Sequence, residues 1–153
     1  DLTAIGLSMD DNMRAELCAA TVENTAAAYP EFCGAVLHSD RESQYTSASY
    51  RAMLNECGVR QSMNSDGGRC HDNARCESIR GLVTRMKNEL FYSRSRRSTD
   101  YTTEQLKTMI WRYYMSYLNN RRICSFIGGM SPAEKRRRYY SDKKGKSAAA
   151  AME

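Results

Sequence analysis

Two acids stand where chemistry could be mounted. Asp40 follows the short apolar run GAVL, Gly34–Leu37, within HSDRESQYTS. Glu77 follows a loop rich in glycine and Asx residues, NSDGGRCHDN, Asn64–Asn73. In open α/β sheets, functional groups collect beyond the carboxyl ends of strands. A strand-end Asp and a helix-borne Glu joined by such a loop could hold a divalent cation, since Mg²⁺ takes hard oxygen ligands and keeps several waters. Two ions a few ångströms apart can activate an attacking oxygen and stabilise a leaving one, but that arrangement needs about three carboxylates. An Asp before a turn and a Glu in a first helical turn are also favoured locally, by turn formation and by the helix dipole. Spacing by itself leaves both readings open.

The elements that must position these acids can be read from pattern. Ile5–Met9 is expected as a short strand. Residues 11–29 are expected as a helix capped by Asp10 or Asp11, with a weakly apolar face of Met13, Leu17, Ala20, Asn24 and Ala28 and a stop at Pro30. Gly34–Leu37 reads as a buried strand and Val59–Met63 as a second one. Between them Ser47–Cys57 reads as a helix with Tyr50, Met53, Leu54 and Cys57 on one side, ended by Gly58. A long helix is expected over about 73–92 with Asp72 as its cap. Another, capped by Thr102 or Thr103, presents Leu106, Met109, Ile110, Tyr113, Tyr114 and Tyr117. Strands alternating with helices make an α/β chain whose strands run parallel. Three strands make a thin sheet, and some of its edge is expected to be missing.

Composition narrows the class. The chain of 153 residues is long enough for one core. It has no apolar run long enough to span a bilayer and no signal-peptide pattern at its start, so no membrane partner is expected. Six cysteines at irregular spacing read as reduced thiols of a cytoplasmic protein. Cys70, His71 and Cys76 match no paired zinc spacing. The net charge is +5, with basic runs from Arg80 onward such as SRSRRS, NNRR and EKRRRYY. Those runs are either a solvated helical surface or, with tyrosines interleaved, a surface for phosphates.

Three stretches decide between these readings: HSDRESQYTS, then GVRQSMNSDGGRCHDNARCES, then NNRRICSFIGGMSP. In this order they resemble the integrase-core region of insertion-sequence transposases, closest to the second-frame protein of the insertion-sequence-three family. The resemblance runs from about Ile5 to Tyr140. It implies an RNase H-like α/β fold with the first strands of the sheet missing, and an Asp-Asp-Glu triad binding two Mg²⁺ or Mn²⁺ ions. Asp40 matches the second acid and Glu77 the third, each as catalytic residue and metal ligand; 36 positions separate them, one more than is usual. The implied reaction is cleavage of element ends and attack of the 3′-hydroxyl on target DNA, by an oligomer of like chains assembled on DNA. Gln44, Tyr45, Asn73, Lys87, Arg121 and Arg122 fall where the family meets DNA or shapes its site.

The departures carry expectations too. Asp1 precedes only one candidate strand, so it cannot be the family's first acid, and the chain reads as an N-terminally truncated copy, inactive alone and marginally folded. Its domains are expected as a partial catalytic core over 1–120, a basic segment over 121–140 and a disordered tail over 141–153. Glu42 stands where glycine is usual, and Cys124 where histidine is common. Lys87 lies ten residues beyond Glu77, about three further than usual. At roughly 100° per residue, that turns it some 60° around the helix and marks Arg80–Leu82 as an insertion. The alternative function is a DNA-binding remnant or regulator without catalysis.

Overall fold

The computed structural model describes residues 2–12, 14–65, 74–94 and 97–150, with backbone alone at 74–80, 94 and 144–150. These residues fall into two compact units, one over Gly6–Tyr101 and one formed by the first five residues with Thr102 onward.

The unit over Gly6–Tyr101 holds helix α1 (Ala15–Ala28), strand β1 (Val36–Ser39), a single turn of helix α2 (Ser43–Thr46), helix α3 (Ala48–Glu56), strand β2 (Arg60–Met63) and helix α4 (Ala74–Leu90). β1 and β2 pair in parallel, with Val36 opposite Arg60 and Ser39 opposite Met63. The helical crossover through α2 and α3 is what a parallel pair requires.

The strand expected at Ile5–Met9 does not form: the sheet among the described residues has two strands. A strand exists through its ladder, and residues 5–9 have no ladder partner there. β1 lies two residues further along than the apolar run. Gly34 is instead in a turn, its amide bonding the Gly58 carbonyl at 2.8 Å, and the ladder runs on through His38 and Ser39. Ladder bonds belong to the backbone, so polar side chains do not end them.

α1 also departs from expectation at its start. It begins at Ala15 behind Arg14, which offers no side-chain cap. Asp10 is spent on its own loop, where its carboxylate accepts the Asp11 amide at 2.7 Å. The buried face of α1 is Val22 and Thr25 with Cys18 and Ala19 against the core, while Asn24 and Ala28 are exposed. An alanine-rich helix carries little apolar contrast, so its pattern points weakly. Met13 lies outside the described residues.

α3 follows its pattern. Ser47 caps it, its hydroxyl accepting the Tyr50 amide at 3.2 Å, and Tyr50, Met53 and Leu54 are buried. With Val22 and Val59 they form the core, joined by half-buried Phe32, Leu37, Tyr45 and Cys57. Gly58 ends the helix at φ +66°, and a Cβ there would come within 2.6 Å of Cys33 Sγ. Position 58 therefore favours glycine for its left-handed turn, and any other residue would also have to displace the Cys33 thiol.

In the other unit, Thr102 caps helix α5 (Thr103–Trp111) with a reciprocal box: its hydroxyl accepts the Gln105 amide, and Gln105 Oε1 accepts the Thr102 amide at 2.9 Å. The helix then widens into a π-helical stretch, Arg112–Leu118. This stretch moves the apolar face. Expected spacing puts Tyr117 inward after Tyr113, but the wider turn buries Leu118, five residues on, and leaves Tyr117 exposed. Asn119 is buried and clasps the first segment, its side-chain oxygen accepting the Ala4 amide and its nitrogen donating to the Ala4 carbonyl, each at 2.8 Å.

Ser131 and Pro132 open helix α6 (Pro132–Ala150), with the Ser131 hydroxyl accepting the Glu134 amide. Residues 141–150, expected as a frayed tail, continue this helix. Lysine and alanine are good helix formers, and low complexity does not oppose helicity.

Candidate functional site

Asp40 sits one residue beyond β1, and the neighbouring parallel strand ends on the same side, at Met63. Three side-chain bonds bind these two exits together. His38 Nδ1 meets the Ser62 hydroxyl at 3.0 Å across the ladder. Arg41 Nε donates to the Asn64 carbonyl at 2.7 Å, where the chain leaves β2 toward the glycine loop. Gln61 Nε2 donates to the Tyr45 carbonyl at 2.7 Å and so ties β2 to α2. Asp40 is thereby held between two anchored stretches.

Around the carboxylate, Oδ1 accepts the Glu42 amide at 3.3 Å, and the buried Ser39 hydroxyl donates to the Asp40 carbonyl. Glu42, which replaces a glycine in the motif, has φ −63° and ψ 154°, a backbone any residue adopts. Its side chain turns to Gln44, whose Nε2 donates to Glu42 Oε2 at 2.7 Å. The extra charge is thus partly engaged by a neighbour and strains nothing.

Tyr45 is half-buried and packs against the core. Its ring meets that of Tyr50 edge-on, with centroids 5.6 Å apart. Burial, with Cys18 next, pushes the Tyr45 phenol above the usual tyrosine range and that of Tyr50 from 10.0 up to about 12. A phenol whose folded pKa is raised binds its proton more tightly in the native state. Its contribution to stability is complete below the unfolded pKa and is lost as pH rises through the folded one. We therefore expect thermal stability to fall between pH 10 and pH 12, with the Tyr50 phenolate absorbance appearing late. Tyr50→Phe should retain the fold and flatten that loss; an unaltered pH profile in the variant would refute the assignment.

Glu77 is the fourth residue of α4, and its backbone lies in the first turn of that helix. Its side chain lies outside the described residues, as do Asp72, Asn73 and the loop with Cys70 and His71. Lys87 is exposed near the end of α4. Arg121 and Arg122 belong to the other unit, Arg121 exposed and Arg122 half-buried. Among the described residues no group of three His, Cys, Asp or Glu side chains is placed to hold a metal ion. The braces His38 and Arg41 were not expected from their types, though both flank Asp40 within the same motif.

Residues 3–68 match the Integrase core domain family. The chain is 36% identical over 108 residues to the transposase for insertion sequence element IS629 of Shigella sonnei, covering 71% of this chain and 33% of that protein. It is 32% identical over 132 residues to the transposase InsF for insertion sequence IS3fB of Escherichia coli K12, covering 85% of this chain and 42% of that one. Over most of its length the chain is thus similar to transposases of insertion sequences, the kinship expected from its motifs. It spans roughly a third to two-fifths of the length of these two relatives.

The chain also shares its fold with a chain in the cryo-electron microscopy structure of the simian T-cell lymphotropic virus intasome in complex with PP2A regulatory subunit B56 gamma. The TM-score is 0.60 at 9% identity, over 83% of this chain and 41% of that one. The expected RNase H-like integrase-core fold is therefore correct. β1 and β2 pair in parallel, and Asp40 lies one residue beyond the first of them.

Proposed function

We propose that this chain forms part of the catalytic core of a DNA transposase, with Asp40 and Glu77 sharing a divalent cation at the strand exits. One observation carries the reading: a carboxylate at the carboxyl end of a parallel strand, braced to the neighbouring strand, in a chain similar to these transposases. The donor set suits Mg²⁺ or Mn²⁺, since both acids offer hard oxygens and few protein ligands suffice for such ions. When bound, the ion supplies charge neutralisation at the reacting phosphate. Asp40 and Glu77 hold and orient; Gln44 keeps Glu42 engaged beside Asp40; Tyr45 fixes α2 from within. Lys87, Asn73, Arg121 and Arg122 meet backbone phosphates of element ends or target, and the working form is an oligomer on DNA in the cytoplasm. None of the helices among the described residues is long and apolar enough to cross a membrane.

A second reading is a DNA-binding regulator without catalysis. It rests on the unevenness of charge: between 121 and 146 there are nine lysines and arginines against two acids, Glu134 and Asp142. Both readings require binding governed by counterion release, with log K falling by roughly 0.9 per phosphate contact for each unit of log salt. Fluorescence anisotropy of the full chain on duplex DNA, across salt, is expected to give a slope steeper than about −3. Binding that is absent or indifferent to salt would sink both readings. A response to Mn²⁺ at constant ionic strength separates the first from the second.

A further inference from the structure

Phe126 is 95% exposed and Ile123 is 70% exposed, in a chain whose other phenylalanines are buried or half-buried. The loop that presents them is built rather than loose. Cys124 and Met130 form an antiparallel bridge, with the Cys124 amide donating to the Met130 carbonyl at 3.0 Å. Inside it, the amides of Ile127 and Gly129 both donate to the Cys124 carbonyl, and that of Gly128 donates to Ser125. Gly128 and Gly129 have φ of +78° and +70°, backbone shapes that other residues adopt only with strain. Phe126 is the middle residue of the 3₁₀ turn Ser125–Ile127, held out at the tip of this closed loop while Ile127 is half-buried behind it.

The surroundings select what could cover such a ring. Arg121 lies exposed just before the loop, and α6, which follows, exposes Lys135, Arg137 and Arg138, the last paired to Glu134 at 2.9 Å. Most of the basic excess of the chain is in this unit's stretch 121–146. A second copy would bring the same sign of charge to the same place, which opposes self-association. A polyanion with exposed aromatic faces is complementary on both counts. In a paired duplex the base faces are stacked and hidden, and phenylalanine has no group with which to read base edges. It gains most from a base already out of its stack, because every base has a π-face and stacking on an aromatic side chain is tolerant of sequence.

The geometry points to Phe126 as a stacking residue for an unpaired nucleotide at a DNA end, with the flanking arginines and lysines on the adjoining backbone. This inference rests on the proposed DNA function and adds to it the structural state of DNA that the loop selects.

The test uses the full chain and two probes of one sequence, a blunt duplex and the same duplex with a short single-stranded overhang, at matched salt. The wild-type chain is expected to prefer the overhang by about tenfold, and Phe126→Ala to lose that preference while blunt-duplex affinity stays within about twofold. Phe126→Trp, in a Trp111→Phe background, should restore the preference and show fluorescence quenching only with the overhang. Equal weakening on both probes, or no change on either, would overturn the inference. So would light scattering in which Phe126→Ala dissociates a dimer while leaving DNA preference untouched, since the ring would then serve a second copy. Loss of salt-dependent binding to both probes in the wild-type chain would overturn the DNA reading itself, and with it this one.

Discussion

Leu54→Ala is expected to unfold the unit over Gly6–Tyr101 near physiological temperature, or to lower its melting temperature by at least about 10 °C. Leu54 is 1% exposed and central to the cluster of Val22, Tyr50, Met53 and Val59. Deleting a buried leucine to alanine costs about 2–5 kcal/mol, because the transfer energy of the lost atoms is joined by the cavity left behind. A domain stabilised by 5–15 kcal/mol in total cannot absorb much of that. The position matters beyond its volume, since the Leu54 carbonyl accepts the Val59 amide at 2.8 Å, where the chain turns out of α3 into β2. Loosening Leu54 therefore frees the strand that braces Asp40. Thermal melts followed by circular dichroism decide the matter, with Val36→Ala as the comparison. Val36 is 55% exposed on β1, and its truncation should cost no more than about 0.5 kcal/mol. Equal melts for the two variants would show that this cluster is not the core of the unit.

What could be read from residues alone follows how strongly each signal is tied to a local cause. Helix α3 was legible because apolar residues at helical spacing and a glycine stop agree, and the structure adds Ser47 as its cap. Helix α5 was legible at its start from a cap at Thr102 or Thr103, of which the structure uses Thr102 and adds the reciprocal bond of Gln105. Its far end was not, since nothing in RYYMSYL announces a π-helical stretch that buries Leu118 in place of Tyr117. α1 was legible in extent but not in facing, because alanine on every side blurs the apolar stripe. Ile5–Met9 looked like a strand because alternation describes a residue's preference, whereas a ladder needs a partner, and the described sheet has none for it.

The site divides in the same way. Asp40 at a strand exit was legible from an apolar run that ends in HSD, although the strand itself is Val36–Ser39. The motif resemblance, not the spacing, singled out Asp40 and Glu77 among eighteen acids. The bonds that position Asp40 were not legible. Arg41 reaches across 23 residues to a backbone carbonyl and His38 across 24 to a hydroxyl, and no local pattern encodes either partner. Both become evident only when parallel pairing puts His38 opposite Ser62. Tyr45, a residue of the same motif, packs its half-buried ring edge-on against Tyr50, a contact that its type does not announce.

Asp40→Asn is expected to act oppositely to Leu54→Ala, sparing the fold and removing the metal response. The substitution keeps shape and an acceptor for the Glu42 amide, so the 3.3 Å bond at the strand exit can persist. It removes a negative charge, with two consequences of opposite sign. Without divalent metal, DNA binding should strengthen slightly, since a carboxylate beside a phosphate repels it. With Mn²⁺ at constant ionic strength, the wild-type chain should gain about tenfold in DNA affinity and the variant none, the size expected for one charge contact at a partly solvated site. Adding a chelator should return the wild-type chain to its metal-free affinity. In any assay where strand cleavage or joining is seen, the same change should cost at least about a thousandfold, because the ion it unseats is worth several kcal/mol to the transition state. Anisotropy titrations with and without Mn²⁺, beside a thermal melt of each protein, measure all of these at once. An Asp40→Asn chain that keeps its Mn²⁺ gain would move the metal away from Asp40, and a wild-type chain with no gain at all would favour the non-catalytic DNA-binding reading.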